Sequence, residues 1–212
     1  QLLIWHPEAM NSLNPRTGEK YWELPLKPTY GMSVMTPRLV GNKIFASGIG
    51  RVGAMIELNE NEPTAKFAWR GKPKTALYCC NSTPLIHEGV IYGCDVRSSE
   101  LIAASVEDGE RFWSTMQPTV AEEHQKKGGS HGTAYLTRHE ESGNYWIYNE
   151  NGDLILAELS RKGYREIGRQ HILEPTNEAF GRPVVWSGPA FAGKAAYLRN
   201  DKELVKVDLS AK

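Results

Sequence analysis

Thr17-Gly18-Glu19-Lys20-Tyr21-Trp22 and Asp108-Gly109-Glu110-Arg111-Phe112-Trp113 have one form, a tight turn through Gly into an aromatic strand that ends on Trp. Trp69, closing Ala65-Lys66-Phe67-Ala68-Trp69, falls between them, so the three tryptophans are spaced by 47 and 44 positions. A second anchor runs in phase with the first: Thr36-Pro37, Thr83-Pro84 and Gly188-Pro189, each followed by a Gly at 41, 89 or 193 and an alternating strand. Self-similarity at about 40 to 50 residues is the mark of a repeat architecture, and it fixes the fold before any single motif is read.

Working outward from the Trp strand, each period holds four short strands. One follows the Pro anchor, a second follows the Gly, a third is a run such as Leu101-Ile102-Ala103-Ala104 or Leu154-Ile155-Leu156-Ala157, and the Trp strand comes last. Gly, Pro, Asn and Asp separate them, which is strand-and-hairpin grammar. No segment keeps a 3.6-residue apolar period long enough for a substantial helix; 119–127 has room for one or two helical turns. The chain is therefore expected to be all-β, a β-propeller of four-stranded blades. Trp22, Trp69 and Trp113 have rings large enough to span the gap between adjacent blades, and Gly18 and Gly109 supply the bend before the strand.

The spacing divides the chain into a partial blade at 1–29, blades at 30–74 and 75–118, a blade with an insertion at 119–173, and a partial blade at 174–212. Four to five blades are thus present, an incomplete ring expected to be an excerpt of a larger propeller or a half-ring completed by a second copy of the chain, as a homodimer. Open sheet edges and uncovered blade faces favour such association.

Lys and Arg number 25, Asp and Glu also 25, and the net charge is zero. That balance argues against a nucleic-acid or anionic-membrane partner. No apolar run approaches the roughly 20 residues of a membrane-spanning helix. Gln1 opens directly into Leu2-Leu3-Ile4-Trp5, which reads as a strand and carries no signal-peptide pattern.

The succession of Thr-Pro, a Gly-turn strand, Leu101-Ile102-Ala103-Ala104 and Asp108-Gly109-Glu110-Arg111-Phe112-Trp113 resembles the repeat of the pyrroloquinoline-quinone-type (PQQ-like) β-propellers. Further along, 149–155, Leu173-Glu174-Pro175-Thr176 and Phe180-Gly181-Arg182-Pro183-Val184-Val185-Trp186 resemble the last blades of large exported bacterial proteins, many of them planctomycetal. The resemblance implies an exported or periplasmic bacterial location. In quinone-dependent alcohol dehydrogenases of similar repeat a vicinal disulfide lies against the cofactor, and Cys79-Cys80 is the pair that would form it. Alternatively these are small buried apolar residues, or Cys80 bonds to Cys94 across a hairpin.

In a propeller the outer-to-inner connections share a face with the loops between second and third strands. Two such connections are long, 117–132 and 171–188, and are expected to form the functional rim. The first carries His124 to Lys127 and Gly129-Ser130-His131-Gly132; the second carries Asn177, Arg182 and Trp186. Arg51, Arg97, Asn149 and Arg199-Asn200-Asp201 lie on the shorter loops. His131 is either a ligand or base at the channel or a histidine satisfied by a backbone carbonyl. Arg138 and Arg199, expected where the fourth and fifth blades meet, either bind a carboxylate or quinone or make inter-blade salt bridges. The candidate ligand-binding residues are thus His131, Arg138, Asn149, Arg182, Trp186 and Arg199, with no catalytic residue assigned. The six histidines lack metal-ligand spacing and no metal is expected. Asn149-Glu150-Asn151-Gly152-Asp153 begins like a calcium loop but runs into a strand. Gly48-Ile49-Gly50-Arg51-Val52-Gly53 has dinucleotide-fingerprint spacing without the helix that motif needs.

These features favour a binding or assembly scaffold for a protein or peptide, with no cofactor. The competing readings are a fragment of a PQQ-dependent dehydrogenase, requiring PQQ and calcium, and a sugar-binding propeller that stacks glycans on Trp146 and Trp186.

Overall fold

The computed structural model describes residues 1–125 and 130–210. It is built from antiparallel sheets in chain order. The first has three strands, β1 (Leu2–Trp5), β2 (Ala9–Leu13) and β3 (Lys20–Pro25). Three four-stranded sheets follow: β4 (Arg38–Val40) to β7 (Ala65–Arg70) through β5 (Lys43–Gly48) and β6 (Val52–Leu58); β8 (Leu85–His87), β9 (Val90–Cys94), β10 (Leu101–Ser105) and β11 (Arg111–Thr115); and β12 (Ala134–Arg138), β13 (Tyr145–Asn149), β14 (Asp153–Ser160) and β15 (Gly163–His171). A two-stranded hairpin, β16 (Asn177–Ala179) and β17 (Arg182–Val184), precedes a last sheet of β18 (Ala190–Ala192), β19 (Ala195–Arg199) and β20 (Leu204–Asp208). This is an all-β propeller architecture with an open ring, since no strand pairing joins the first sheet to the last among the described residues. The only α-helical segment among the described residues, α1 (Glu122–Gln125), is a single turn.

The core lies between sheets rather than inside them. Met10, Trp22 and Leu26 of the first sheet region meet Ile44, Ala46, Ala54 and Ile56 of the second. Phe45 and Met55 point the other way, to Leu77, Ile91, Ile102 and Ala104. Tyr92, Leu101 and Ala103 then face Tyr145, Ile147 and Ile155 of the fourth sheet, and Tyr148 and Leu154 face Ala196 and Leu198 of the last. Period-two alternation thus sends successive side chains of one strand to different neighbours. Strands β9 and β10 are consequently buried at every position. The outward faces of the end sheets are not covered in this way: Leu2, Ile4 and Leu204 are exposed.

At the outer edge the Trp strands tie neighbouring sheets together. Trp69 Nε1 donates to the Val106 carbonyl at 2.8 Å, and Trp113 Nε1 donates to the Ser160 carbonyl at 2.8 Å, each reaching the turn before the outermost strand of the next sheet. Trp22 instead donates to the Gln1 side chain of its own sheet at 2.9 Å. In every four-stranded sheet, and in the first, the register slips by one residue just before the Trp position, leaving Tyr21, Ala68, Phe112 and Ile167 as the extra residues. Such a bulge bends and twists the strand. In the fourth sheet the Trp position is held by Gly168, so the repeat loses its inter-sheet tie there.

Gly18 and Gly109 share a backbone φ of 75°, yet only Gly109 is crowded: a Cβ there would lie 3.0 Å from the Trp69 ring, whereas one at Gly18 meets nothing within 4 Å. The Gly18→Ala change should therefore cost only the left-handed backbone penalty of about 1–2 kcal/mol. Gly109→Ala should cost clearly more, because it also displaces Trp69. Urea unfolding of the two variants checks this, and equal midpoints would mean that the Trp69 contact contributes nothing.

Candidate functional site

Two long connections and one hairpin turn converge on a single region. Glu150, in the β13–β14 turn, is completely buried. Its backbone N–H donates to the Thr133 carbonyl at 3.0 Å and its carbonyl accepts from Val185 N–H at 2.7 Å, which joins the connections before β12 and before β18. The preceding sheet has the same backbone arrangement at Val96, whose N–H donates to Tyr78 and whose carbonyl accepts from His131 N–H, both at 2.8 Å. Glu150 therefore puts a carboxylate where the preceding sheet places the buried Val96.

A buried carboxylate requires a partner. Arg182, also buried, donates through Nε to Glu150 Oε1 at 2.6 Å and through Nη2 to Oε2 at 3.2 Å, a bidentate pair. Thr133 N–H and Trp186 Nε1 donate to Oε2 at 2.9 and 3.2 Å, and Arg182 Nη2 also donates to the Ser130 carbonyl at 3.0 Å. One ion pair thus holds the 130–133 segment, the β13–β14 turn, β17 and Trp186 together.

Above this pair lies a ledge of rings. His131 stacks on Phe180 with centroids 4.5 Å apart and planes 7° from parallel, and Phe180 sits 6.2 Å from Trp186. Phe180 is 60% exposed and Trp186 38%. The β16–β17 hairpin presents Phe180 through a two-residue turn, Phe180-Gly181, with φ values of 52° and 71°. Positive φ at both central residues is the type I′ geometry suited to a two-residue hairpin. His131 likewise has a φ of 62°. Burial first, and the Arg182 charge second, hold its imidazole below the ordinary value.

Of the residues singled out from the sequence, His131, Arg182 and Trp186 meet here, and Asn149 shapes the turn beneath them. Its Oδ1 accepts from Asn151 N–H at 3.1 Å and Asp153 N–H at 3.0 Å, so it works on the backbone rather than facing the ledge. The His131 ring stacks on Phe180, and among the described residues no backbone carbonyl partners it. Arg138 and Arg199 are not brought together: Arg138 lines a cleft of ≈ 500 Å³ beside Ala195, at one end of β19, and Arg199 ends the same strand. Arg138 pairs with Glu140 in its own hairpin, and Arg199 has no ion pair among the described residues. Lys126, Lys127 and Gly129 of the expected rim lie outside the described residues, and Asn177 is exposed in β16.

Cys79, Cys80 and Cys94 are free thiols. Cys79 and Cys80 lie in the connection before β8, and their side chains enter different apolar clusters, so no ring closes between them. Cys94 faces a third cluster with the fourth sheet, which also removes the Cys80 to Cys94 pairing. Burial pushes all three thiols up, Cys94 to about 12. Cys79 and Cys80 are thus unbonded, and among the described residues no three His, Cys, Asp or Glu side chains are grouped as they would be around a metal ion.

In the sequence Glu150 stands only as part of a turn, and Phe180 as part of the 180–186 segment. The signal that marks Glu150 is comparative, an acidic residue at the repeat position occupied by Val96.

Removing Arg182 strands a buried charge. Arg182→Met should destabilise the protein by about 3–5 kcal/mol, while Glu150→Leu together with Arg182→Met should cost much less than the sum of the single changes. Urea denaturation of all four forms measures the coupling, and additive losses would show that the two side chains do not act as a pair. His131 gives a second expectation. Its folded-state pKa lies below the unfolded value of about 6.5, so the unfolded chain binds the proton first and stability falls as pH drops below that value. His131→Gln should flatten the stability slope between about pH 6.5 and pH 5, and an unchanged slope would remove His131 as its source.

The family model described as outer membrane protein assembly factor BamB matches residues 7–115, just over half of the sequence. No curated protein sequence matches at a significant level. Among solved structures, BamB from Moraxella catarrhalis superposes with a TM-score of 0.57 at 13% identity, covering 96% of this chain and 52% of that one. Apo AztD from Citrobacter koseri gives 0.57 at 12% identity, with 98% and 55% covered. The quinohemoprotein alcohol dehydrogenase from Comamonas testosteroni gives 0.53 at 14% identity, with 96% and 38% covered. These likenesses are of fold, and the present chain spans about half the length of the first two structures.

Proposed function

We propose that this chain, which belongs to the PQQ-like propeller family described as outer membrane protein assembly factor BamB, serves as a binding scaffold for a protein or peptide segment. The observation that carries the reading is the exposed ledge of His131, Phe180 and Trp186, fixed from beneath by the buried Glu150–Arg182 pair. Aromatic rings held on a rigid base offer large contact area at little entropic cost, the usual composition of an interface hot spot. The charge balance of the chain supports an uncharged or mixed partner rather than a polyanion. An exported or periplasmic bacterial setting accords with the family. No helix among the described residues is long and apolar enough to cross a membrane. The uncovered faces bearing Leu2, Ile4 and Leu204 are where further blades, or a second copy of the chain, would pack.

The alternative, a portion of a PQQ-dependent dehydrogenase, shares the fold but makes different demands on its residues. Two measurements separate the readings. A random-peptide library presented to the protein should yield binders with aromatic or aliphatic side chains, and their affinity should fall roughly tenfold for Phe180→Ser. Calorimetry with pyrroloquinoline quinone and Ca²⁺ should register no binding heat. Peptides indifferent to Phe180 would remove the ledge as the site, and specific quinone binding would favour the dehydrogenase.

A further inference from the structure

A second concavity, separate from the ledge, lies between the second and third sheets. It has a volume of ≈ 280 Å³ and is lined by Arg51, Pro73, Tyr78, Asp95, Arg97, Ser98 and Arg111. Three guanidinium groups face one carboxylate, which leaves two positive charges in excess inside a chain of zero net charge.

That carboxylate is already committed to the protein. Asp95 is buried; its Oδ1 accepts from the Arg97 and Ser98 backbone N–H groups at 3.0 and 3.1 Å, and its Oδ2 from Tyr78 N–H at 3.2 Å and Arg111 Nη2 at 3.1 Å. Arg111 also donates through Nε to the Ala76 carbonyl at 2.6 Å, which fixes its guanidinium plane. Asp95 therefore offsets Arg111 and has no accepting capacity to spare for the other two arginines. Arg51 and Arg97 are exposed at the tips of the β5–β6 and β9–β10 loops, and among the described residues neither has an ion-pair partner. Ser98 adds a hydroxyl that is buried without a hydrogen-bond partner. Lys72 and Lys74, on either side of Pro73, strengthen the local positive field.

Two unpaired guanidinium groups, a third held in place by a saturated aspartate, and a spare hydroxyl donor form an arrangement suited to an oxyanion of charge about −2. The volume exceeds that of a bare phosphate and leaves space for a small organic portion against Pro73 and Tyr78. We propose that this cleft binds a small dianion, a phosphate monoester or a dicarboxylate. The inference is independent of the aromatic ledge, since none of its residues contributes to that surface.

The test is a thermal-shift and calorimetric titration of the full chain with inorganic phosphate, glycerol phosphate and succinate, each against sodium chloride at matched ionic strength. Saturable binding by at least one dianion is expected, and the preference between the phosphates and succinate identifies the class. Arg51→Ala and Arg97→Ala should each weaken it roughly tenfold or more, because each removes a charge-assisted contact. Arg199→Ala, which alters an exposed arginine at the end of β19, should leave it unchanged. Arg97→Gln, which keeps the length of the side chain, provides a second variant should the alanine form fold poorly. A response equalled by chloride, or one that survives in both the Arg51 and Arg97 variants, would overturn the proposal.

Discussion

Face-to-face packing of sheets governs this molecule. No sheet has an interior of its own; each buries Ile, Leu, Phe, Tyr or Met side chains against its neighbours, the inner sheets on both faces and the end sheets on one. Because alternate residues of a strand point to opposite faces, the central strands must be apolar on both sides, and β9 and β10 are. Sheets that splay from a common centre leave a widening gap at the rim. The Trp69 and Trp113 rings close it by reaching the turn of the neighbouring sheet, where their indole N–H groups find backbone carbonyls. At Gly109 the absence of a side chain makes room for Trp69.

The ledge depends on that packing in turn. The 130–133 segment, the β13–β14 turn and the connection before β18 meet because the sheets carrying them are stacked side by side. Where they meet, a residue that is valine in the preceding sheet is Glu150, and Arg182 supplies the compensating charge from 32 positions away. A buried, bidentate ion pair is costly to desolvate and contributes little net stability, but it is sensitive to geometry. Here it fixes Trp186 and the 130–133 segment on either side of itself, and the rings above inherit that order. The cleft around Arg51 and Arg97 uses a related device: a saturated buried carboxylate, Asp95, orients one arginine, and among the described residues two others have no ion-pair partner.

The fold was largely legible because its signals are local. Gly18 and Gly109 mark turns, Trp22, Trp69 and Trp113 mark outer strands, and the Pro anchors mark the inner ones, all within a few residues of the structure they specify. The site was legible in part. His131, Arg182 and Trp186 could be placed on one rim from loop lengths, but Arg138 and Arg199 could not be separated, since opposite ends of a strand look alike in a list of loops. The adjacency of Cys79 and Cys80 suggested a bond that their alternation into different clusters prevents.

By itself, then, the sequence determined the repeat and the strand order within each blade, because turn chemistry and period-two alternation act between near neighbours. Only the tertiary structure decided that Glu150 pairs with Arg182, that His131 stacks on Phe180, and that Arg51, Arg97 and Arg111 border one cleft. Those contacts join segments from 14 to 60 positions apart, through loops whose paths are set by how the sheets pack and not by their own composition.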